Sequence, residues 1–287
     1  MKFFLITTDH FTDRLWFRDD EDFKAGMNLV AVCALSTGIC ILCFILMSNH
    51  LHFVVACEED EAWKFINEFK QRYGIYFRWK YGLSEYFRRN GVDIREVTMA
   101  DEALERAIAY VQMNCVAANI CLTPELYPWG SGKCFFNSSP ANGRPLSGFS
   151  RRTRMKMIHS SADVPGHFCF LPEGYISPDS YVDIQFVEGL FRSPKRMQYF
   201  LTTSSKARKV LSPERESLPS FRDQIISEAL NDLCHSLFRK HDAHDLSSAQ
   251  LSELLKQLKY RFSADINQLA RVCGLSYQDA ASLLEST

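Results

Sequence analysis

The spacing of apolar and polar positions changes several times over the first 118 residues. Residues 2–8 (KFFLITT) are apolar and β-prone, which predicts a strand. Residues 21–36 place Leu29, Val32 and Leu35 at helical spacing, with Asp19 and Asp20 where carboxylates suit the positive end of a helix dipole. Residues 39–46 predict a second strand. Residues 50–56 (HLHFVVA) alternate and predict a third, antiparallel to the second through a turn at Met47, Ser48 and Asn49. A long helix follows over 61–81, carrying Phe65, Ile66, Phe69 and Tyr73 at helical spacing. Residues 93–97 predict a fourth strand and 101–118 a third helix. The order β-α-β-β-α-β-α predicts an α+β fold, with a ferredoxin-like βαββαβ antiparallel sheet and helices on one face.

Past Pro128, Trp129 and Gly130 the texture changes. Residues 137–150 are rich in Asn, Ser, Pro and Gly and read as a linker. Residues 141–220 hold 12 Lys and Arg against 7 Asp and Glu, a local excess of +5 in a chain of net charge −1. Arg151, Arg152, Arg154 and Lys156 form the densest basic run, which suits a solvated connector or contacts to phosphate. From residue 221 the pattern is helical, with Ile226, Leu230, Leu233 and Leu237 in the spacing of a buried stripe. The chain thus divides into residues 1–136, a basic connector at 137–220 and a helical region at 221–287. Residues 266–284 have the form of a helix-turn-helix. Ala270 is small where two helices would cross, Gly274 suits a turn with positive φ, and Ser276 can cap the second helix. Such a unit can lay its second helix in a major groove, where Arg271, Tyr277 and Gln278 would be the contacts. A plain helical hairpin fits the same pattern.

Composition narrows the class. The 287 residues carry 33 Lys and Arg against 34 Asp and Glu, which argues against binding nucleic acid by bulk charge. An apolar fraction of 46% with 23% charged residues excludes wholesale disorder. Ten cysteines sit mostly in apolar runs and no signal peptide is visible, so reduced thiols and a cytoplasmic protein are expected. Residues 27–47 carry no charge and are long enough to span a bilayer. The turn signal Ser36-Thr37-Gly38 in their middle favours a helix, a turn and a buried strand, with no membrane span.

His50 and His52 are the main chemical feature. Residues i and i+2 of a strand point to the same side, so both imidazoles leave one face of the sheet and together can hold a divalent ion. Tyr110 and Asn114 stand one turn apart on one helix face. Asn114 could offer an oxygen to a hard cation and Tyr110 a phenolic nucleophile beside it. The same spacing fits a Tyr110 packed on the sheet and an Asn114 that caps a neighbouring turn. Phe65, Phe69, Tyr73, Tyr76 and Phe77 could stack bases, although helical spacing favours core packing. Arg88 and Arg89, just before the fourth strand, are candidate phosphate contacts. Cys40 and Cys43 form a CxxC, but residues i and i+3 of a regular strand face opposite ways. His241 and His244 sit in a polar connection and read as solvated. Gly130-Ser131-Gly132-Lys133 lacks the flanking residues of a Walker A loop.

Taken in order, the motifs resemble a known family. Met47-Ser48-Asn49-His50-Leu51-His52-Phe53-Val54-Val55 is similar to the M-P-N-H-x-H-hydrophobic signature of single-tyrosine HUH transposases. Residues 109–118 (AYVQMNCVAA) resemble the Y-I-H-x-N-P-V-x-A block of the REP-associated tyrosine transposase branch, and Tyr127-Pro128-Trp129-Gly130-Ser131 resembles its Y-P-W-S-S block. Residues 82–89 fall where that branch has a basic-aromatic segment. The resemblance covers residues 1–136. It departs from the pattern at Ser48 and Cys115, where the branch has proline, and at Gln112, where it has histidine.

The resemblance implies a catalytic domain over residues 1–136 that cleaves and rejoins single-stranded DNA at hairpin or repeat ends. It makes His50, His52 and Asn114 the ligands of Mg²⁺ or Mn²⁺ and Tyr110 the nucleophile that forms a 5′-phosphotyrosine link. The sequence names no general base. Tyr110 acting within its own chain or across a homodimer fits equally. Two rivals use the same fold: a decayed, non-catalytic DNA-binding protein, and an RNA-binding protein.

Overall fold

The computed structural model describes residues 2–8, 15–82, 87, 91–118, 120–138, 142–204, 206, 223–262, 264 and 266–285. Four strands form one antiparallel sheet: β1 (Lys2–Thr8), β2 (Cys40–Met47), β3 (His50–Cys57) and β4 (Val92–Val97), in the spatial order β2-β3-β1-β4. Helix α1 (Asp20–Thr37) lies between β1 and β2, and α2 (Glu59–Tyr81) between β3 and β4. The first starts where the Asp19 carboxylate accepts the Asp22 N–H at 3.0 Å. It ends at Gly38, whose φ of 75° lets the chain turn sharply into β2.

The charge-free run of residues 27–47 is accounted for by what covers it. Among the described residues, no helix is long and apolar enough to cross a membrane. One side of α1 packs on α2 and the sheet. On another, Ala31 and Val32 join Leu146, Ile158, Val164, Phe168 and Ile176 in a second small core. A helix covered on several sides needs no polar face. Strand β3 is buried at every position. Its Phe53 meets Phe65 and Phe69 of α2, with ring centroids 5.1 and 6.1 Å away. The aromatic stripe of α2 is therefore core, as its spacing favoured.

Several expectations need correction. Residues 101–118 are not one helix. A 3-10 turn (Ala100–Glu102) with φ of 53° at Asp101 and 60° at Glu102 precedes α3 (Ala103–Gln112), and a break at Met113 separates it from the short α4 (Asn114–Ala117). Strand β2 carries a bulge between Ile41 and Cys43, so Cys40 lies opposite Ala56 and Cys43 opposite Val54. Ala56 and Val54 share a face of β3, so the two cysteines do as well. The stretch read as a linker contains β5 (Arg144–Pro145), paired with β6 (Cys169–Phe170), and the fully buried Leu146. The described residues of the connector also form α5 (Arg151–Ile158), α6 (Ile184–Phe191) and α7 (Pro194–Thr203). Their Val187, Phe191, Met197 and Phe200 belong to the main core.

Four helices close the chain: α8 (Asp223–Phe238), α9 (Ser248–Phe262), α10 (Ile266–Cys273) and α11 (Tyr277–Glu285). They share a core of Ile226, Leu233, Leu254, Leu258, Phe262 and Leu269. Leu237, expected in the buried stripe, is 36% exposed, and Phe238 packs instead. The turn between α10 and α11 follows its sequence signals. Gly274 has φ of 66°, and Ser276 Oγ accepts the Asp279 N–H at 3.1 Å.

Candidate metal and nucleophile site

The two faces of the sheet are covered differently. Helices α1 and α2 take the Phe53 face. The other face, which carries His52, Thr7 and Asp93 in one cross-strand row, is covered by α3 and α6. His50 and His52 are both buried, and their rings stand edge to face with centroids 4.8 Å apart. Tyr110 of α3 completes the group, its ring 5.5 Å from that of His52 and at 84° to it. Three of the four residues singled out for chemistry are thus neighbours in space.

Each imidazole is oriented through Nδ1. That of His50 lies 2.7 Å from Asn49 Oδ1, and that of His52 lies 3.0 Å from Thr7 Oγ1. A hydrogen bond that occupies Nδ1 directs ligation to Nε2, and at His50 the Asn49 amide oxygen can only accept, so Nδ1 carries the proton. The turn that presents His50 is tied from three directions. Ser48 O accepts N–H groups of Trp16 and Phe17, at 2.7 and 3.2 Å. Ser48 Oγ donates to the Arg261 carbonyl of α9 at 2.6 Å. Tyr127 OH donates to Leu46 O at 2.7 Å, while Leu46 N–H donates to Trp129 O at 2.8 Å. The block at residues 127–131 therefore runs along the free edge of β2, where Gly130 bridges Ile45.

Asn114 opens α4 and is buried, but its amide nitrogen donates to the carbonyls of Tyr110 at 2.9 Å and Val111 at 3.2 Å. It satisfies carbonyls left over at the end of α3, as the capping alternative has it. Those bonds use only the nitrogen, so the amide oxygen is the atom a cation could use. Among the described residues no cluster of three His, Cys, Asp or Glu side chains suits a metal ion. A cation here would rest on two imidazoles and an amide, with substrate oxygens to complete its shell.

Charge around Tyr110 is positive. Lys206 Nζ stands 4.9 Å from the ring centroid. Burial pushes the phenol above its ordinary pKa, and the Arg95 guanidinium opposes that shift. Sequence reasoning missed Thr7, Lys206 and Arg95. Only the strand register of Thr7 against His52 could have been foreseen.

The expected nucleic-acid contacts are dispersed. Arg151, Arg152, Arg154 and Lys156 lie on α5, which packs against α1 on the face away from Tyr110. Arg271 is bound to Asp223 at 2.7 and 3.2 Å, so it braces α10 against α8. Tyr277 and Gln278 are exposed at the start of α11. Arg88 and Arg89 lie outside the described residues. His241 and His244 are exposed, as their polar surroundings suggested. Comparison with protein-family models, curated proteins and solved structures finds no match for this chain.

Proposed function

We propose that the protein is a metal-dependent, single-strand DNA transposase or nickase of the HUH type, on a ferredoxin-like βαββαβ domain. The observation that carries this reading is the convergence of His50, His52 and Tyr110 on one face of the sheet, with ring centroids 4.8 and 5.5 Å apart. The strand order β2-β3-β1-β4 supports the fold assignment.

The donor set fits Mg²⁺ or Mn²⁺, since both imidazoles are pre-oriented through Nδ1 and Asn114 adds an amide oxygen. The bound cation supplies Lewis-acid polarisation of the scissile phosphate. The protein does the rest. Thr7 and Asn49 hold the imidazoles in place. Arg95 opposes the rise that burial gives the Tyr110 phenol, and it and Lys206 offer positive charge to the phosphate. The phenolic oxygen of Tyr110 attacks phosphorus, the bond to the 3′-oxygen breaks, and the phenolic proton is balanced by the 3′-hydroxyl that leaves. The 5′-phosphotyrosine link keeps the energy of the phosphodiester, so a free 3′-hydroxyl can reverse the attack on another strand.

A gel assay of covalent adducts tests the proposal. Single-stranded oligonucleotides from the gene's own flanks are incubated with Mn²⁺ and wild type, Tyr110→Phe or His50→Ala/His52→Ala. An adduct with wild type that both variants lose is expected. An adduct that survives Tyr110→Phe overturns the assignment of the nucleophile. A second reading, a DNA-binding protein without catalysis, is favoured by the burial of Tyr110, which raises its pKa and opposes formation of the attacking phenolate. It predicts hairpin binding with no adduct at any Mn²⁺ concentration.

A further inference from the structure

A cleft of about 390 Å³ opens on the side of the molecule away from Tyr110, between α1, α2 and the residues that follow α5. Its size lies in the range of small-ligand sites. Three rings shape it: Tyr76, Trp79 and His159, with centroids 5.9 to 6.2 Å apart. Tyr76 is fixed as the floor, because its hydroxyl donates to the buried Asp22 at 3.0 Å. Trp79 is a wall and is 74% exposed, with Ile75 beside it at 60%. An exposed tryptophan facing an aromatic floor is costly to leave in water, and contiguous surface of this kind marks binding sites. His159 ends α5 with φ of 54°, the left-handed conformation common at helix C-termini.

Charge narrows the ligand. Helix α5 leads directly into the cleft, and four of its eight residues are cationic: Arg151, Arg152, Arg154 and Lys156. Among the described residues none of the four meets a carboxylate, and α5 has no acidic residue of its own. Arg95, Arg106 and Arg271, by contrast, each meet a carboxylate. An exposed aromatic ring at a cleft that follows a cationic helix suits a planar base flanked by phosphates.

We infer that this cleft takes an unpaired base of a nucleic-acid strand, stacked on the exposed ring of Trp79, which Tyr76 and His159 buttress, with the neighbouring phosphates on α5. The site is separate from Tyr110 and does not depend on strand cleavage. It gives a role to the basic run that the candidate active site leaves unused.

The test is fluorescence anisotropy of labelled 20-mers, oligo(dT) in one arm and oligo(U) in the other. The protein is the full chain carrying Tyr110→Phe, with EDTA present, so that no chemistry contributes. Trp79→Ala should weaken binding about 5- to 150-fold, the range for loss of one stacked base, while Trp79→Phe restores most of it. Arg151→Gln/Arg152→Gln/Lys156→Gln should weaken binding and flatten the dependence on salt by about 0.7 in log–log slope per lost phosphate contact. The preferred arm identifies the strand as DNA or RNA. Trp79 is exposed, so melting temperatures should not move and a folding defect cannot mimic the result. Equal binding by wild type and Trp79→Ala overturns the proposal, as does equal binding of an abasic strand of the same length. Trp79-dependent binding by a protein that forms no adduct leaves this site standing and removes the catalytic reading.

Discussion

Arg261 offers a sharp test of what joins the helical region to the sheet domain. Its side chain is fully buried in α9, and Nη2 donates to Asp20 Oδ1 at 2.5 Å. Nε donates to Gln257 at 3.3 Å, and Nη1 is buried without a hydrogen-bond partner among the described residues. Asp20→Ala removes the countercharge and leaves the guanidinium where it is. Breaking a buried pair from one side costs about 3–5 kcal/mol. The Asp20 side chain is 42% exposed, so water reaches that end and the lower figure, about 3 kcal/mol, applies. Arg261→Met removes the buried charge and keeps an apolar stem of similar length. Replacing such a charge with a packed hydrophobe is often neutral or stabilising, so stability should stay within about 1 kcal/mol of wild type. At roughly 2–4 °C per kcal/mol, thermal melts should show a fall of about 6–12 °C for Asp20→Ala and under about 4 °C for Arg261→Met. The double variant should match Arg261→Met alone. If Arg261→Met proves as damaging as Asp20→Ala, the asymmetry argument fails and the pair contributes net stability.

Further outcomes follow from particular contacts. Thr7→Val removes the hydrogen bond to His52 Nδ1 and should raise the Mn²⁺ concentration needed for half-maximal adduct by about 10- to 100-fold; an unchanged Mn²⁺ dependence would show that Thr7 does not position the ring. Tyr110 attacks as phenolate and its pKa is raised by burial, so the adduct rate should climb about tenfold per pH unit through neutral pH and beyond. Arg95→Gln removes the charge that opposes this shift and should displace that limb to higher pH, whereas a displacement to lower pH would reverse the assigned sign. In Gly130→Ala a Cβ would stand 2.8 Å from the Phe44 carbonyl oxygen, a backbone atom that cannot swing aside. A loss of about 1–3 kcal/mol in urea unfolding is expected, and no loss would mean that the edge of β2 yields easily.

What the sequence revealed depended on how local the cause was. The strands and the first two helices were legible because period, caps and turns are set by neighbours in the chain. His50 and His52 share a face by strand geometry alone, so their pairing was legible too. The bulge in β2 was not, because one inserted residue leaves the apolar pattern of residues 39–46 unchanged while it turns Cys43 to the side of Cys40. The break at Met113 was hidden for a similar reason. Residues 101–118 keep helical spacing across it, and only the capping bonds of Asn114 reveal the interruption. Lys206 lies nearly a hundred residues from Tyr110, and nothing in its surroundings marks it as a partner. The connector looked like a linker because its composition is polar, yet Leu146 and Phe168 suffice to pin it on α1.

The three departures from the resembled motif can be weighed one by one. Ser48 uses its hydroxyl to bind the Arg261 carbonyl, a bond that proline could not donate, so the turn before His50 is fastened to α9. Cys115 is fully buried, with Sγ 3.3 Å from the Gln112 carbonyl, and fills its place as a small hydrophobe. Gln112 is different. Its side chain is 3% exposed and Nε2 has no hydrogen-bond partner among the described residues, so this buried donor carries a desolvation cost of about 1–3 kcal/mol. Gln112→Leu keeps the volume and removes the buried donor. It should melt within about 1 kcal/mol of wild type or above it, and it should leave adduct formation intact, because Gln112 holds neither an imidazole nor the phenol. A loss of more than about 1 kcal/mol would show that the amide is bonded in solution, and a loss of adduct without a loss of stability would make Gln112 part of the site.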